Sequence, residues 1–327
     1  MGSGGFGISC FLADASLPFR GLKKTGVNRN TATRTGGRDR MKLKLCGSGL
    51  VHSVLGCLLM VAVSGSGMAA EPRDSGWYVG AGAGVNWISD MKQAGWNRDT
   101  VCYPEDDCDD RDVGGYRWFY DLDADTGSLL EIAVGRSFGN LRLELSASLR
   151  ENDIDQEFTG ITYLDGSTRV AKATSNYSSK TRTSVDDLET RTLSLNAYYD
   201  FPLEDSRITP YLGAGVGVSH VKVSGLVFEA EYACSAGCDY HPAEYYNSFQ
   251  DESLSDTVFS KHLHVGADYD LGDGFLLGMK LSYSVVDDMR DKGRYVDHPI
   301  PDLPNHTKIR DMDHWSLSLG LKYLFGR

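Results

Sequence analysis

The chain of 327 residues contains no run of eighteen apolar residues, which excludes an ordinary membrane-spanning helix. Its seven cysteines are too few for a small disulfide scaffold. Basic charge is also scarce: 33 Lys and Arg stand against 45 Asp and Glu, a formal net charge of −12. That deficit is uneven. Residues 1–70 hold nine of the bases, from Arg20 to Lys44, and two acids, Asp14 and Asp39. Everything after them is strongly acidic and unsuited to nucleic-acid phosphates. What the chain does have is order-forming material: 41% hydrophobic residues, 10% aromatic and 37 glycines, too much for a disordered protein. A globular domain and a transmembrane β-barrel remain, because barrel strands alternate and never look hydrophobic on average.

The basic head reads as a removable leader. Met41 opens a signal peptide with Lys42 and Lys44 as its charged start, Val54 to Val63 as its apolar core and small residues up to Ala70 as its exit. Cleavage is expected after Ala70 or Ala69. Residues 1–40, rich in Gly, Thr and Arg, read as an upstream extension or a mis-assigned start, 41–70 as the signal peptide and 71–327 as the mature domain. Val54-Leu-Gly-Cys57 resembles a lipobox, but the apolar run continues six residues beyond Cys57. The leader takes Cys10, Cys46 and Cys57 with it. Cys102, Cys108, Cys234 and Cys238 remain in two polar loops, where an exported chain is expected to form two local disulfides. A zinc site with His241 is the rival, though the cysteine spacing suits zinc poorly.

Read with period two, the mature chain yields eight strands: 77–87, 129–138, 141–150, 190–201, 210–223, 257–271, 275–287 and 314–325. One face of each is apolar, as in Leu141, Leu143, Leu145 and Leu149. The other is small or polar, as in Arg142, Glu144, Ser146 and Ser148. Tight connections at 139–140, 202–207 and 272–274 alternate with long ones at 89–127, 151–188, 224–256 and 288–312. Short turns on one side of a membrane and long loops on the other are the pattern of an antiparallel up-and-down outer-membrane barrel. Two glycine-rich echoes, 78–86 and 211–219, begin the first and fifth strands and point their glycines at a crowded interior. Aromatics gather at strand ends as an interfacial girdle: Trp77, Phe138, Phe201, Phe275 and Phe325 at one rim, Trp87 and Phe259 at the other. A soluble lipocalin-like barrel fits worse, because the small polar face is too rich in Gly and Ser to line a lipid pocket.

With these residues in place, the chain resembles the eight-stranded OmpA-like outer-membrane β-barrels, in particular the opacity or porin-family surface proteins. The likeness rests on Gly76-Trp-Tyr-Val-Gly-Ala-Gly-Ala-Gly84, Tyr120-Asp-Leu-Asp123, Pro210-Tyr-Leu-Gly-Ala-Gly-Val-Gly217 and the aromatic-ended last strand. It spans residues 76–325 and implies a Gram-negative outer membrane, lipid and lipopolysaccharide as neighbours, and recognition by the outer-membrane insertion machinery. The last strand departs from the family's aromatic end, because Gly326-Arg327 follows Phe325.

Eight strands leave an interior that side chains fill. Glu131, Arg142, Glu144, His262, His264, Asp268, Lys280 and Lys322 are expected to face it as a network of ion pairs, since each buried charge needs a partner. The sharper reading is a gated ion path or a catalytic site around His262 and His264. The expected function is a non-enzymatic surface protein whose loops serve adhesion, envelope integrity or contact with an external ligand or surface. The alternatives are a narrow porin and an enzyme acting on lipid or peptide. The enzyme would draw on His220, His298, His306 and His314 beside Asp287, Asp288, Asp311 and Asp313. No cofactor is expected. Calcium is a minor reading of the acidic first loop (Glu105, Asp106, Asp107, Asp109, Asp110, Asp112) and of Asp121-x-Asp123-x-Asp125.

Overall fold

The computed structural model describes residues 75–108, 113–172, 175–235, 237–238 and 241–326. The extension, the signal peptide with its exit at Ala70, and Asp109, Asp110 and Asp112 lie outside them. The described residues form thirteen antiparallel strands. They are β1 (Gly76–Ile88), β2 (Met91–Asn97), β3 (Tyr116–Ala124), β4 (Gly127–Phe138), β5 (Leu141–Tyr163), β6 (Tyr177–Ser184) and β7 (Asp187–Asp200), then β8 (Ile208–Cys234), β9 (Ser248–Gly272), β10 (Phe275–Val286), β11 (Met289–Arg294), β12 (Pro304–Arg310) and β13 (His314–Phe325).

Eight of them close on themselves. The ladders run β1–β4–β5–β7–β8–β9–β10–β13, and β13 returns to β1 from Trp77↔Phe325 to Ile88↔His314. Closure leaves no strand edge in the ring, so every ladder group is answered where no water reaches it. The outward face is the apolar face read from the sequence: Leu130, Ile132, Leu193, Leu195, Leu263 and Leu319 are all exposed. Trp77, Phe138, Phe201, Phe275 and Phe325 ring one end, and Trp87 pairs with Trp315 at the other. Ten residues separate Trp77 from Trp87; at about 3.4 Å per residue and a tilt of roughly 40°, the band is about 25 Å tall.

The four long connections are not structureless. Strands β5, β8 and β9 run 23, 27 and 25 residues, more than twice what a membrane crossing needs. The other five crossing strands each break briefly at the water line and resume in β2, β3, β6, β11 and β12. Ladders β11–β12–β2–β3–β5 and β6–β8–β9 repeat the cyclic order of the membrane ring one storey higher. Sequence pattern missed this storey because it is polar outside and short in each piece.

Two of its seams lack a ladder among the described residues. Between β9 and β11 carboxylates do the stitching: Ser255 N–H donates to Asp291 (2.7 Å), Arg290 N–H to Asp256 (2.9 Å) and Arg294 N–H to Glu252 (3.1 Å). Between β5 and β6 nothing comparable occurs, and the seam is open. In β8, Gly225 takes φ 68° at the bulge between Val223 and Leu226, where a Cβ would run into Asp186. The extra residue keeps Leu226 facing inward as β8 passes from β7 to β6.

Burial raises the Glu252 carboxyl above its ordinary range, against the pull of the Arg294 N–H and the Gln250 amide. A raised folded-state pKa means that ionising the group costs folding free energy. That cost is absent below the ordinary carboxylate range and present above it. Glu252→Gln, which still accepts the Arg294 N–H, is therefore expected to raise the thermal midpoint at about pH 8 and leave it unchanged at about pH 3. A lower midpoint at the higher pH would refute the assignment.

Candidate functional site

Three layers fill the barrel interior. The lowest lies within the membrane ring and gathers all eight lumen residues expected from the sequence. Arg142, 2% exposed, forms an ion pair with Asp200 (2.8 Å) and donates to Asp268 (3.0 Å). Lys322 reaches Asp268 at 3.0 Å, and Lys280 pairs with Glu131. Glu144 accepts from Tyr78 and Tyr198, both at 2.9 Å. The Arg142 guanidinium also sits over the Tyr211 ring at 4.7 Å. His262 bonds Ser260 and Ser284, and His264 bonds Ser282 and Asn196. The two imidazoles stack 6.0 Å apart. Each therefore has neutral partners on both ring nitrogens.

Glycines make this packing possible. A Cβ on Gly135 would enter the Tyr78 ring, one on Gly213 the Tyr198 ring and one on Gly266 the Tyr211 ring. Of the glycine rows read as crowding, Gly213 meets Tyr198, Gly215 meets Asn196, and Gly82 and Gly84 meet the β13 backbone. Sequence reasoning missed Asp200, Arg150 and the three tyrosines. Arg150 shares Arg142's parity on β5 and was legible; Asp200 was hidden by its place at a strand end.

Above the charges lies an apolar septum. Two residues beyond each polar lumen position, the inward side chain becomes aliphatic: Asn152 gives way to Ile154, Thr190 to Leu188, Ser219 to Val221, Ser260 to Val258, Ser284 to Val286 and His314 to Met312. With Leu122, Met289 and Ile309 these residues form one buried cluster.

The third layer is a cavity of about 470 Å³ within the outer storey. Its floor is the septum: Met91 lies one inward step below Gln93, Leu122 below Tyr120, Ile154 below Gln156 and Ile309 below Thr307. Its walls are aromatic, with Tyr103, Trp118, Phe158, Phe228, Tyr232 and Tyr295 among them. Wall charges are already paired. Arg169 binds Asp106 at 2.6 Å and Glu105 at 3.5 Å. Tyr103, Tyr116 and Tyr232 donate to Asp99, Asp106 and Glu105. Burial and the adjacent carboxylate push all three phenols far above their usual range, so they keep their protons. Burial also pushes the Tyr120 phenol up to about 12.

The remaining sequence candidates fall elsewhere. Cys102–Cys108 and Cys234–Cys238 are disulfides at the tips of the outer storey, and His241 stacks on Tyr245 at 4.0 Å. The apparent calcium spacing at Asp121 is a misreading: Asp121 and Asp123 belong to strand β3, and Asp121 pairs with Lys92. Among the described residues no cluster of His, Cys, Asp and Glu is placed to hold a metal. Nor do the four rim histidines converge. His220 faces outward beside Thr257, His306 stacks on Trp96, His314 is buried in the lumen, and His298 lies behind the cavity wall against Asp99 and Tyr103.

The profile of the outer membrane protein beta-barrel domain matches residues 55–325. The chain belongs to that family. It is accordingly a β-barrel of the Gram-negative outer membrane, as the closed ring and its apolar belt require. The chain is 30% identical over 173 residues to major surface antigen 4 of Anaplasma marginale, an alignment covering 46% of this chain and 60% of that protein. It therefore spans about 60% of the length of the curated relative it matches. Solved outer-membrane barrels are similar to it at low identity. OprG of Pseudomonas aeruginosa is 14% identical with a TM-score of 0.44, covering 78% of this chain and 99% of OprG. Neisserial surface protein A is 16% identical with a TM-score of 0.37, covering 77% and 100%.

Losing one partner of a buried pair strands the other charge, at a cost of about 3–5 kcal/mol. Arg142→Leu, which strips two carboxylates at once, is expected to lower the unfolding free energy by that amount in urea titrations of the reconstituted barrel. Lys322→Leu should cost less than half as much, because Arg142 still answers Asp268. Equal losses would contradict this ranking.

Proposed function

We propose that the protein is a non-enzymatic surface protein whose membrane ring anchors a structured outer storey for contact with external ligands or surfaces. The observation that carries this reading is the construction of that storey: the strands continue past the water line in unchanged cyclic order, so the four loops are held out from the membrane as a built platform. The likeness to a surface antigen supports the same placement. The ion-paired lumen and the septum above it favour a closed barrel over the narrow gated porin, and the scattered histidines disfavour catalysis. On this reading Arg191, His220, Lys222 and Lys261, all exposed on the outward face near the outer rim, meet lipopolysaccharide phosphates. The insertion machinery reads the last strand.

The test is attachment of cells expressing the protein to immobilised laminin, fibronectin and mucin. Replacing the tips 164–176 and 235–247 by short turns should abolish attachment while the heat-modifiable band persists. Undiminished attachment would overturn the proposal, and steady conductance of the intact protein in a planar bilayer would replace it with the porin. Arg191→Ser with Lys261→Ser should reduce the lipopolysaccharide retained through purification, and unchanged retention would remove that partner.

A further inference from the structure

The cavity in the outer storey is a blind cup. Its floor is the aliphatic septum, so nothing entering from outside has a polar route onward into the lumen. It also has a side opening: Gln156 and Phe158 of β5 and Thr181 and Thr183 of β6 line it, and these strands share no ladder among the described residues. Phe158 is 53% exposed at that seam. A volume of about 470 Å³ lies in the range of small-molecule sites.

Its chemistry narrows the occupant. The walls offer flat aromatic faces, which suit a ring with an apolar side. Gln93 lines the cup, is only 4% exposed, and its side-chain amide has no hydrogen-bond partner among the described residues. An amide both donates and accepts, so it calls for a partner that does both, as a hydroxyl does. A hydrocarbon would leave Gln93 buried and unanswered. An ion would have to compete for wall charges that already answer one another, Arg169 with Glu105 and Asp106.

We propose that this cup binds a neutral saccharide of one or two rings, stacked on the aromatic wall and hydrogen-bonded by Gln93, with entry through the β5–β6 seam. The proposal deepens the surface-contact reading and rests on it, because the cup must face the exterior. Trp118 is the central platform. It lies over Gly95, its partner across the β2–β3 ladder, where a Cβ would enter the indole. Gly95 is therefore what lets the indole lie flat against β2.

The decisive experiment is calorimetric titration of the full mature protein in phosphatidylcholine vesicles, free of sugar-headed detergent. The probes are glucose, galactose, N-acetylglucosamine, maltose and lactose, with sodium laurate and choline chloride as apolar and cationic comparisons. At least one sugar should bind saturably at one per chain. Trp118→Ala and Gln93→Leu should each weaken it at least tenfold, Phe158→Ser, which removes an aromatic face at the seam, should weaken it less, and the exterior Val296→Ser should change nothing. Folding of each variant is read from its heat-modifiable band, and Gln93→Leu, which keeps the side-chain bulk, serves if Trp118→Ala does not fold. Saturation by laurate or choline alone, no binding by any sugar, or sugar binding indifferent to both cup variants would overturn the proposal. Loss of sugar binding with tip-dependent attachment intact would reject the saccharide alone; loss of both would reject the surface-contact reading as well.

Discussion

Everything in this molecule depends on one ladder, that between β1 and β13. Until it forms, two strand edges stand open in a medium that cannot hydrogen-bond them, at a cost of several kcal/mol for each unanswered group. Once it forms, the side chains of eight strands have only two destinations, lipid or lumen. The lipid side takes the leucines and the aromatic rings. The lumen takes Arg142, Glu144, Asp268, Lys280 and Lys322, and with so little room each must find a partner beside it. Arg142 between Asp200 and Asp268, and Glu144 between Tyr78 and Tyr198, are the outcome of closure as much as of their own chemistry.

Above the membrane the rule inverts. The same strands pass into water, the outward face becomes polar, and the inward face becomes aliphatic and then aromatic. The septum marks where this happens, within one alternation of side chains on each strand. A layer of this kind is a water-side core like that of any soluble domain, built on a scaffold borrowed from the membrane. It separates the charges below from the cup above, and allows the cup to be aromatic without being open to the lumen.

The membrane storey was legible in the sequence because strict alternation over about ten residues is a collective signal. Lumen residues on regular strands were legible by parity: Arg142, Glu144, His262, His264 and Lys322 all fall on the small-polar face. Tyr78 and Tyr198 were not, because tyrosine near a strand end reads equally as girdle. The outer storey was lost because its strands are short, polar and interrupted, so that 89–127 reads as loop although it contains β2 and β3. Asp121-x-Asp123 reads as a metal loop for the same reason: a strand with alternating outward acids has the spacing of a calcium site and none of its curvature. The cup residues come from seven strands and the segments between them, and no local pattern assembles them.

The joints at the water line have a consequence for how such a chain can change over time. Five staves are broken there, and a residue gained or lost at the break can be absorbed before pairing resumes. Three are continuous. In β9 the inward parity never changes from Ser248 to Asp268, so one inserted residue at the rim would turn Leu254 and Gln250 outward and carry Asp251 and Ser255 into the core. In β8 such an extra residue has already been accommodated, at Gly225. Length variation among descendants of this chain should therefore gather at the five breaks and the loop tips, and be nearly absent from β9, whereas β5, like β8, already carries an extra residue, opposite the Phe119–Tyr120 step of β3.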